Sequence, residues 1–279
     1  MNIRCWGSRG SFPVCGPEYN RYGGDTACVE VRSERGDIII IDAGTGIRKL
    51  GDLLVASPPE SIHIIFTHAH LDHIVGFPFF MPIYNKNTTL HIYGPQTAIG
   101  TFENALKNIM SEPFFPVEFH KLKSNITFHN ISEVDFTIGS LTITPVKLNH
   151  PNGGCGLRIE ENGRAFVFLT DNELGDDDPE SRPTPYFESF CANADLLFHD
   201  AEYTDEEYPN HTGWGHSKFS DVIKLALSAN VKKLGLFHIN TRRTDDQMDE
   251  LVKSAQEIVR ERGSGMECFG VGFGFECEL

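Results

Sequence analysis

The sequence predicts an α/β (α+β) chain of two sheets flanked by helices, with a metal site along one edge of the sheets. Three observations lead there. Short β-branched runs such as Ile38-Ile39-Ile40-Ile41 alternate with helix-period segments over most of the 279 residues. His and Asp recur where those apolar runs end. Thr67-His68-Ala69-His70-Leu71-Asp72-His73 then brings three imidazoles and a carboxylate together, directly behind the strand-like run Ser61-Ile62-His63-Ile64-Ile65-Phe66. A buried strand that ends in ligands is a rigid stalk for a metal site. Neighbouring ligands in one tight loop cannot all reach one tetrahedral ion, so the spacing suggests two ligand groups and two divalent ions. Imidazole with carboxylate suits zinc first, with manganese or iron as alternatives.

Composition sets the bounds. With 40% hydrophobic residues, the chain can bury a large core, and one domain over 1–279 is expected. No apolar run reaches the ~20 residues of a membrane span. Met1-Asn2-Ile3-Arg4-Cys5-Trp6-Gly7 carries no signal-peptide core, which points to the cytoplasm. Seven cysteines without a CxxC pair fit reduced thiols, each read as a small buried apolar residue. A net charge of −15, from 24 basic and 39 acidic residues, argues against a long nucleic-acid track and leaves a small phosphate ester open.

In chain order, strands are expected at 3–6, 27–31 and 38–41, and Asp42-Ala43-Gly44-Thr45-Gly46 turns into a helix over 47–56. Ser8 and Arg9, in the loop after the first strand, are candidates to line a pocket and touch substrate, with a solvated loop arginine as the plain alternative. Beyond the His-rich loop come a strand at 89–93, a helix over 97–110 and the aromatic loop Pro113-Phe114-Phe115-Pro116. Phe115 is a candidate stacking platform for a substrate ring, with core packing as the plain alternative. Strands follow at 125–128, 135–138 and 141–147, then a hairpin with Asn162-Gly163 at its tip. A strand over 195–198 ends at His199-Asp200-Ala201-Glu202. A helix follows Gly215-His216-Ser217, a strand over 234–237 ends at His238, and Thr244-Asp245-Asp246-Gln247 caps a last helix to about 262. One or two strands over 266–277 close the chain. His150, Asp171, Asp200 and His238 all stand at strand mouths, where a polar group is costly unless something satisfies it.

His68-Ala69-His70-Leu71-Asp72-His73 resembles the HxHxDH signature of the metallo-β-lactamase fold superfamily, and the order of His150, Asp171 and His238 matches that family's pattern. The resemblance implies a four-layer αββα sandwich with a dinuclear site. It places His68, His70 and His150 on one metal and Asp72, His73 and His238 on the other, with Asp171 bridging. His199-Asp200-Ala201-Glu202 and Gly215-His216-Ser217 resemble the "HEAT" and "HST" motifs of the RNase Z-like phosphodiesterase branch, with Asp200, Glu202 and Lys218 departing from them. The chain over 3–243 resembles compact bacterial members labelled cyclic-nucleotide phosphodiesterase-like. The implied reaction is attack of a metal-bridging hydroxide on a small or cyclic phosphodiester. Asp72, Asp200 and His216 are its catalytic residues, Asp200 orienting His216 and His216 protonating the leaving oxygen.

His150 and Asp171 are separated only by 151–170, which leaves no room for the long basic arm of RNase Z. Acidic residues at Glu173, Asp176, Asp177, Asp178, Glu180, Glu202, Asp205, Glu206 and Glu207 are expected to repel RNA. His63, His91, His120, His129 and His211 read as packing or surface groups, and His199 as a group that orients Asp200. A thioesterase or glyoxalase-II-like hydrolase and a non-catalytic metal-binding module are the competing functions, and a homodimer is left open.

Overall fold

The computed structural model describes residues 1–279 apart from 98–99 and 176–178. Two seven-stranded sheets lie face to face. The first runs β14 (Glu276–Glu278), β1 (Asn2–Gly7), β2 (Cys28–Arg32), β3 (Ile38–Ile41), β4 (Ile62–Ile65), β5 (Thr89–Gly94), β6 (Asn125–Asn130). The second runs β13 (Glu267–Gly270), β12 (Lys233–Phe237), β11 (Leu196–Asp200), β10 (Arg164–Leu169), β9 (Cys155–Glu161), β8 (Leu141–Lys147), β7 (Phe136–Ile138). Alternation along the strands divides the apolar side chains between layers. Ile39, Ile41 and Ile65 meet Ile143, Leu157, Phe166 and Phe198 between the sheets. Ile38, Ile40, Ile62 and Ile64 face outward, under α1 (Ile47–Ala56) and α3 (Phe102–Ile109). Val167, Leu169, Leu197 and Leu234 do the same on the other side, under α4 (Thr184–Phe190), α5 (Phe219–Ser228) and α6 (Asp245–Glu261). The result is the αββα sandwich. The fully buried isoleucines of β3 and β4 each contribute about 1.5–3 kcal/mol by leaving water.

Strand direction positions the site. β3, β4, β5 and β6 are mutually parallel, as are β10, β11, β12 and β13. Their carboxyl ends share an edge, where ligands collect in parallel sheets. Asp42, the loop of α2 (Leu71–Ile74), Asp171, Asp200 and His238 leave strands there. β8 is antiparallel to β9, and β9 to β10, so β8 also ends on that edge and delivers His150.

Several expectations shift. The helix expected over 97–110 spans only Phe102–Ile109. Gly100, at φ +103°, stands ahead of it, and 98–99 lie outside the described residues. α4, carrying Pro185, was not anticipated in its Pro- and acid-rich surroundings. The 162–163 tip has φ of 53° and 77°, as a two-residue hairpin turn needs. Six cysteines are buried, but Cys15 is exposed and does not fit the core reading. Among the described residues no helix is long and apolar enough to cross a membrane.

Candidate metal centre and active site

All seven candidate ligands converge. His68, His70 and His150 form one cluster, and Asp72, His73, Asp171 and His238 form a second. Asp171 joins them. Its Oδ1 lies 3.7 Å from His68 Nε2, 3.8 Å from His150 Nε2 and 3.2 Å from His238 Nε2, while its Oδ2 lies 3.3 Å from His73 Nε2. Asp72 Oδ2 is 3.2 Å from His73 Nε2 and 3.4 Å from His238 Nε2, and accepts a hydrogen bond from Ser11 N at 2.7 Å. Asp171 and His238 carry φ of 54° and 56°, a left-handed turn that Asp and His tolerate better than most residues.

The partners behind the imidazoles decide which nitrogen faces inward. His73 Nδ1 donates to Asp42 Oδ2 at 2.8 Å, and His238 Nδ1 to Glu202 Oε2 at 2.9 Å. His150 Nδ1 donates to the Gly215 carbonyl at 3.1 Å. Thr67 Oγ1 gives its proton to Asp42 Oδ2 at 2.8 Å, so it accepts from His68 Nδ1 at 3.0 Å. In all four rings Nε2 is left for the interior. His68 Nε2, His73 Nε2 and His238 Nε2 are buried and make no hydrogen bond. Imidazoles held from behind, with their second nitrogens orphaned and converging, are the arrangement of metal-ligating histidines. The residues fit two divalent ions.

Protonation agrees. Burial keeps His68 neutral, holding it well below its ordinary value, and lowers His70 and brings His150 to about 4. Burial also opposes charge on His73 and His238, but Asp72 and Asp171 outweigh it and raise both well above the ordinary value. Asp171 is held far below the usual carboxylate range: burial works against this, and His238 and His73 overcome it.

Beside the ligands, His216 Nδ1 meets Asp200 Oδ2 at 2.6 Å and lies 4.0 Å from Asp171 Oδ1. Burial penalises the imidazolium, yet the Asp200 carboxylate pushes His216 up to about 9. His199 reaches Asp200 through the backbone: its Nδ1 donates to the Asp200 carbonyl at 2.7 Å, and its Nε2 faces Asn172 Nδ2 at 3.3 Å.

Other candidates fall elsewhere. Arg9 is fully buried, donating from Nε to the Gly23 carbonyl at 2.8 Å and from Nη1 to the Arg243 carbonyl at 2.8 Å. With no open face it clamps the N-terminal loop to the start of α6, which corrects its reading as a substrate contact. Ser8 is 1% exposed, and its carbonyl accepts from Ile239 N at 2.9 Å, so it too is a structural residue. Phe115 is half-buried against Phe79, with ring centroids 5.6 Å apart, in an apolar hollow that Leu71 also lines. Glu173 and Glu202, expected in an RNA-repelling surface, are buried at 1% and 4% exposure, and 176–178 lie outside the described residues. Asp42 and Glu202 were missed as supports of His73 and His238. Asp42 directly follows the apolar run 38–41, so the strand-mouth rule that found Asp171 applies to it equally. A cavity of about 400 Å³ opens beside His68 and His70, with Lys147, Glu133, Asn152 and Gly153 among its lining.

Residues 38–239 match the beta-lactamase superfamily domain, and the chain belongs to that family. A ribonuclease Z of Thermococcus onnurineus is 26% identical over 267 residues, covering 80% of this chain and 81% of its own. Among solved structures, the metallo-beta-lactamase fold protein YhfI from Bacillus subtilis superposes with a TM-score of 0.74 at 22% identity, over 100% of this chain and 99% of its own. A diphosphatase from the PhnP family does so with a TM-score of 0.70 at 18% identity, over 100% and 97%. Within that family the chain is similar to ribonuclease Z, and it carries the clustered His and Asp side chains of a metal-dependent hydrolase.

Proposed function

We propose that the enzyme is a phosphodiesterase for a small or cyclic phosphodiester. The observation that carries this reading is the His216–Asp200 pair, 2.6 Å apart at the flank of the ligand cluster. An alkoxide is a poor leaving group and needs a proton in the transition state, whereas a thiolate leaves unaided. His216 is the proton donor. Asp200 holds the ring by Nδ1 and keeps it charged.

His68, His70 and His150 would hold one divalent ion, and Asp72, His73 and His238 the other, with Asp171 shared; zinc is the first choice, manganese or iron the alternatives. Such ions supply acidified water at neutral pH and draw charge from a phosphoryl oxygen. Asp72, counted among the catalytic residues, is fixed by Ser11 N and turned toward His73 and His238. Burial would raise its pKa, yet those imidazoles hold it far below the usual carboxylate range. Phe115 lies with Leu71 in a separate apolar hollow that no candidate ligand lines, which supports core packing over a contact with the ester.

Substrate size follows from two features. The segment between His150 and Asp171 contains the β9–β10 hairpin and its short connections, with no long arm, and the cavity of about 400 Å³ suits a nucleotide-sized molecule. Relatives named ribonuclease Z weigh the other way, and two of the acidic residues invoked against RNA are buried. A screen of cyclic, linear dinucleotide and RNA substrates is therefore required, and RNA cleavage outrunning every small diester would overturn the size assignment. For the chemistry, His216→Ala should keep both metals and lose roughly 10²–10⁴ in kcat on an alkyl diester, with far less loss on a nitrophenyl diester. Equal losses would remove His216 as the acid, and faster cleavage of an acyl thioester than of any diester would favour a thioesterase.

A further inference from the structure

The turn that follows Asp171 carries a buried carboxylate, Glu173, that neither the metal set nor the acid pair uses. Glu173 is 1% exposed. Its Oε1 accepts from Tyr208 Oη at 2.7 Å and from Gly213 N at 2.9 Å, and its Oε2 accepts from Gly215 N at 2.8 Å. A carboxylate taken out of water is costly unless its oxygens are met by donors, and here three donors meet it. Two of them are backbone amides of the loop that ends in His216. Gly213 and Gly215 have φ of 81° and 87°, and a Cβ on Gly215 would collide with the His150 ring. The Gly215 carbonyl is also the acceptor for His150 Nδ1. Around the same turn, Ser217 Oγ donates to the Asn172 carbonyl at 2.6 Å and accepts from Leu174 N at 3.0 Å. The backbone of 171–174 thus holds the bridging carboxylate on one side and the loop of 213–217 on the other.

We infer that Glu173 is a positioning residue: its buried carboxylate fixes the 213–215 loop, and through it sets His216 against Asp200 and His150 against the ligand cluster. The part concerning His216 rests on the acid role proposed above. Glu173 touches no reacting atom, so its effect should appear as misplacement of His216, and about 10²-fold can follow from a shift near 1 Å.

The test uses the metal-loaded, full-length protein. Glu173→Gln is nearly isosteric, but its amide NH2 faces donors and must drop part of the triple contact. Hydrogen exchange at the Gly213 and Gly215 amides should rise at least roughly tenfold, with amides of β3 and β10 unchanged. In the same protein kcat should fall by roughly 10²-fold on an alkyl diester and much less on a nitrophenyl diester, as for His216→Ala. Tyr208→Phe keeps the carboxylate and removes one donor; it should change the same readouts in the same direction by less, and serves if Glu173→Gln does not fold. Unchanged exchange at Gly213 and Gly215 would overturn the inference. So would equal losses on both esters accompanied by faster exchange in β10, which would make Glu173 a general structural residue. If His216→Ala itself treats the two esters alike, the acid reading fails, and exchange at Gly213 and Gly215 alone decides the role of Glu173.

Discussion

In His68, His73, His150 and His238 the Nε2 faces the interior because Nδ1 is committed to a partner. Asp42 serves two residues, accepting from His73 Nδ1 at 2.8 Å and from Thr67 N at 2.8 Å. Asp42→Asn should weaken metal binding at the His73 set by about 10- to 100-fold, measured by competition with a chelator, while the chain stays folded. Metal uptake must also displace the protons that Asp72 and Asp171 hold on buried His73 and His238. Calorimetry in buffers of different ionisation enthalpy should register proton release, and affinity should weaken as pH falls. His216 titrates near 9 because Asp200 outweighs burial. The sign is that of a raised base: its charge is present at neutral pH and lost as pH climbs through about 9. The kcat profile on an alkyl diester should fall there, and His216→Ala should lack that limb. The convergence of the candidate ligands was legible because they stand at the ends of apolar runs whose burial would otherwise strand them. Arg9 was not, since its carbonyl partners Asn240 and Arg243 lie more than two hundred positions away in the chain. Glu202 was obscured because it stands where the resembled motif has a threonine.

At the scale of elements, periodicity and capping chemistry carried most of the reading. β3 and α1 span 38–41 and 47–56 as expected, and α6 begins at the anticipated capping box, with Thr244 accepting from Gln247 N. Thr244→Ala should cost about 1 kcal/mol in denaturant unfolding and leave kcat unchanged, because the cap lies outside the site. Boundaries were weaker where glycine and proline gather, as at the start of α3 and throughout α4. One short loop does the work of a whole element. Gly10 has room for no side chain, since a Cβ there would run into the His238 ring. The next residue, Ser11, gives its amide to Asp72. Both lie in the loop whose Ser8 and Arg9 were expected at the substrate, so that loop reaches the site through its backbone and its glycine.

Across the whole molecule, the parallel halves of two sheets end on one edge, and ligands scattered from His68 to His238 meet there. That outcome was readable from residue type and order at strand ends. The pairing that joins β8, through β9, to β10, β11 and β12 is non-local and was not legible in the sequence; the resemblance implied only the four-layer sandwich. By this reading the seven side chains together would hold two metal ions, with Asp171 shared between them. Elemental analysis of the purified protein beside Asp171→Ala tests it most directly. Two equivalents of divalent metal per chain are expected, falling to one or none in the variant. Full occupancy in Asp171→Ala, or no bound metal in the parent, would contradict it.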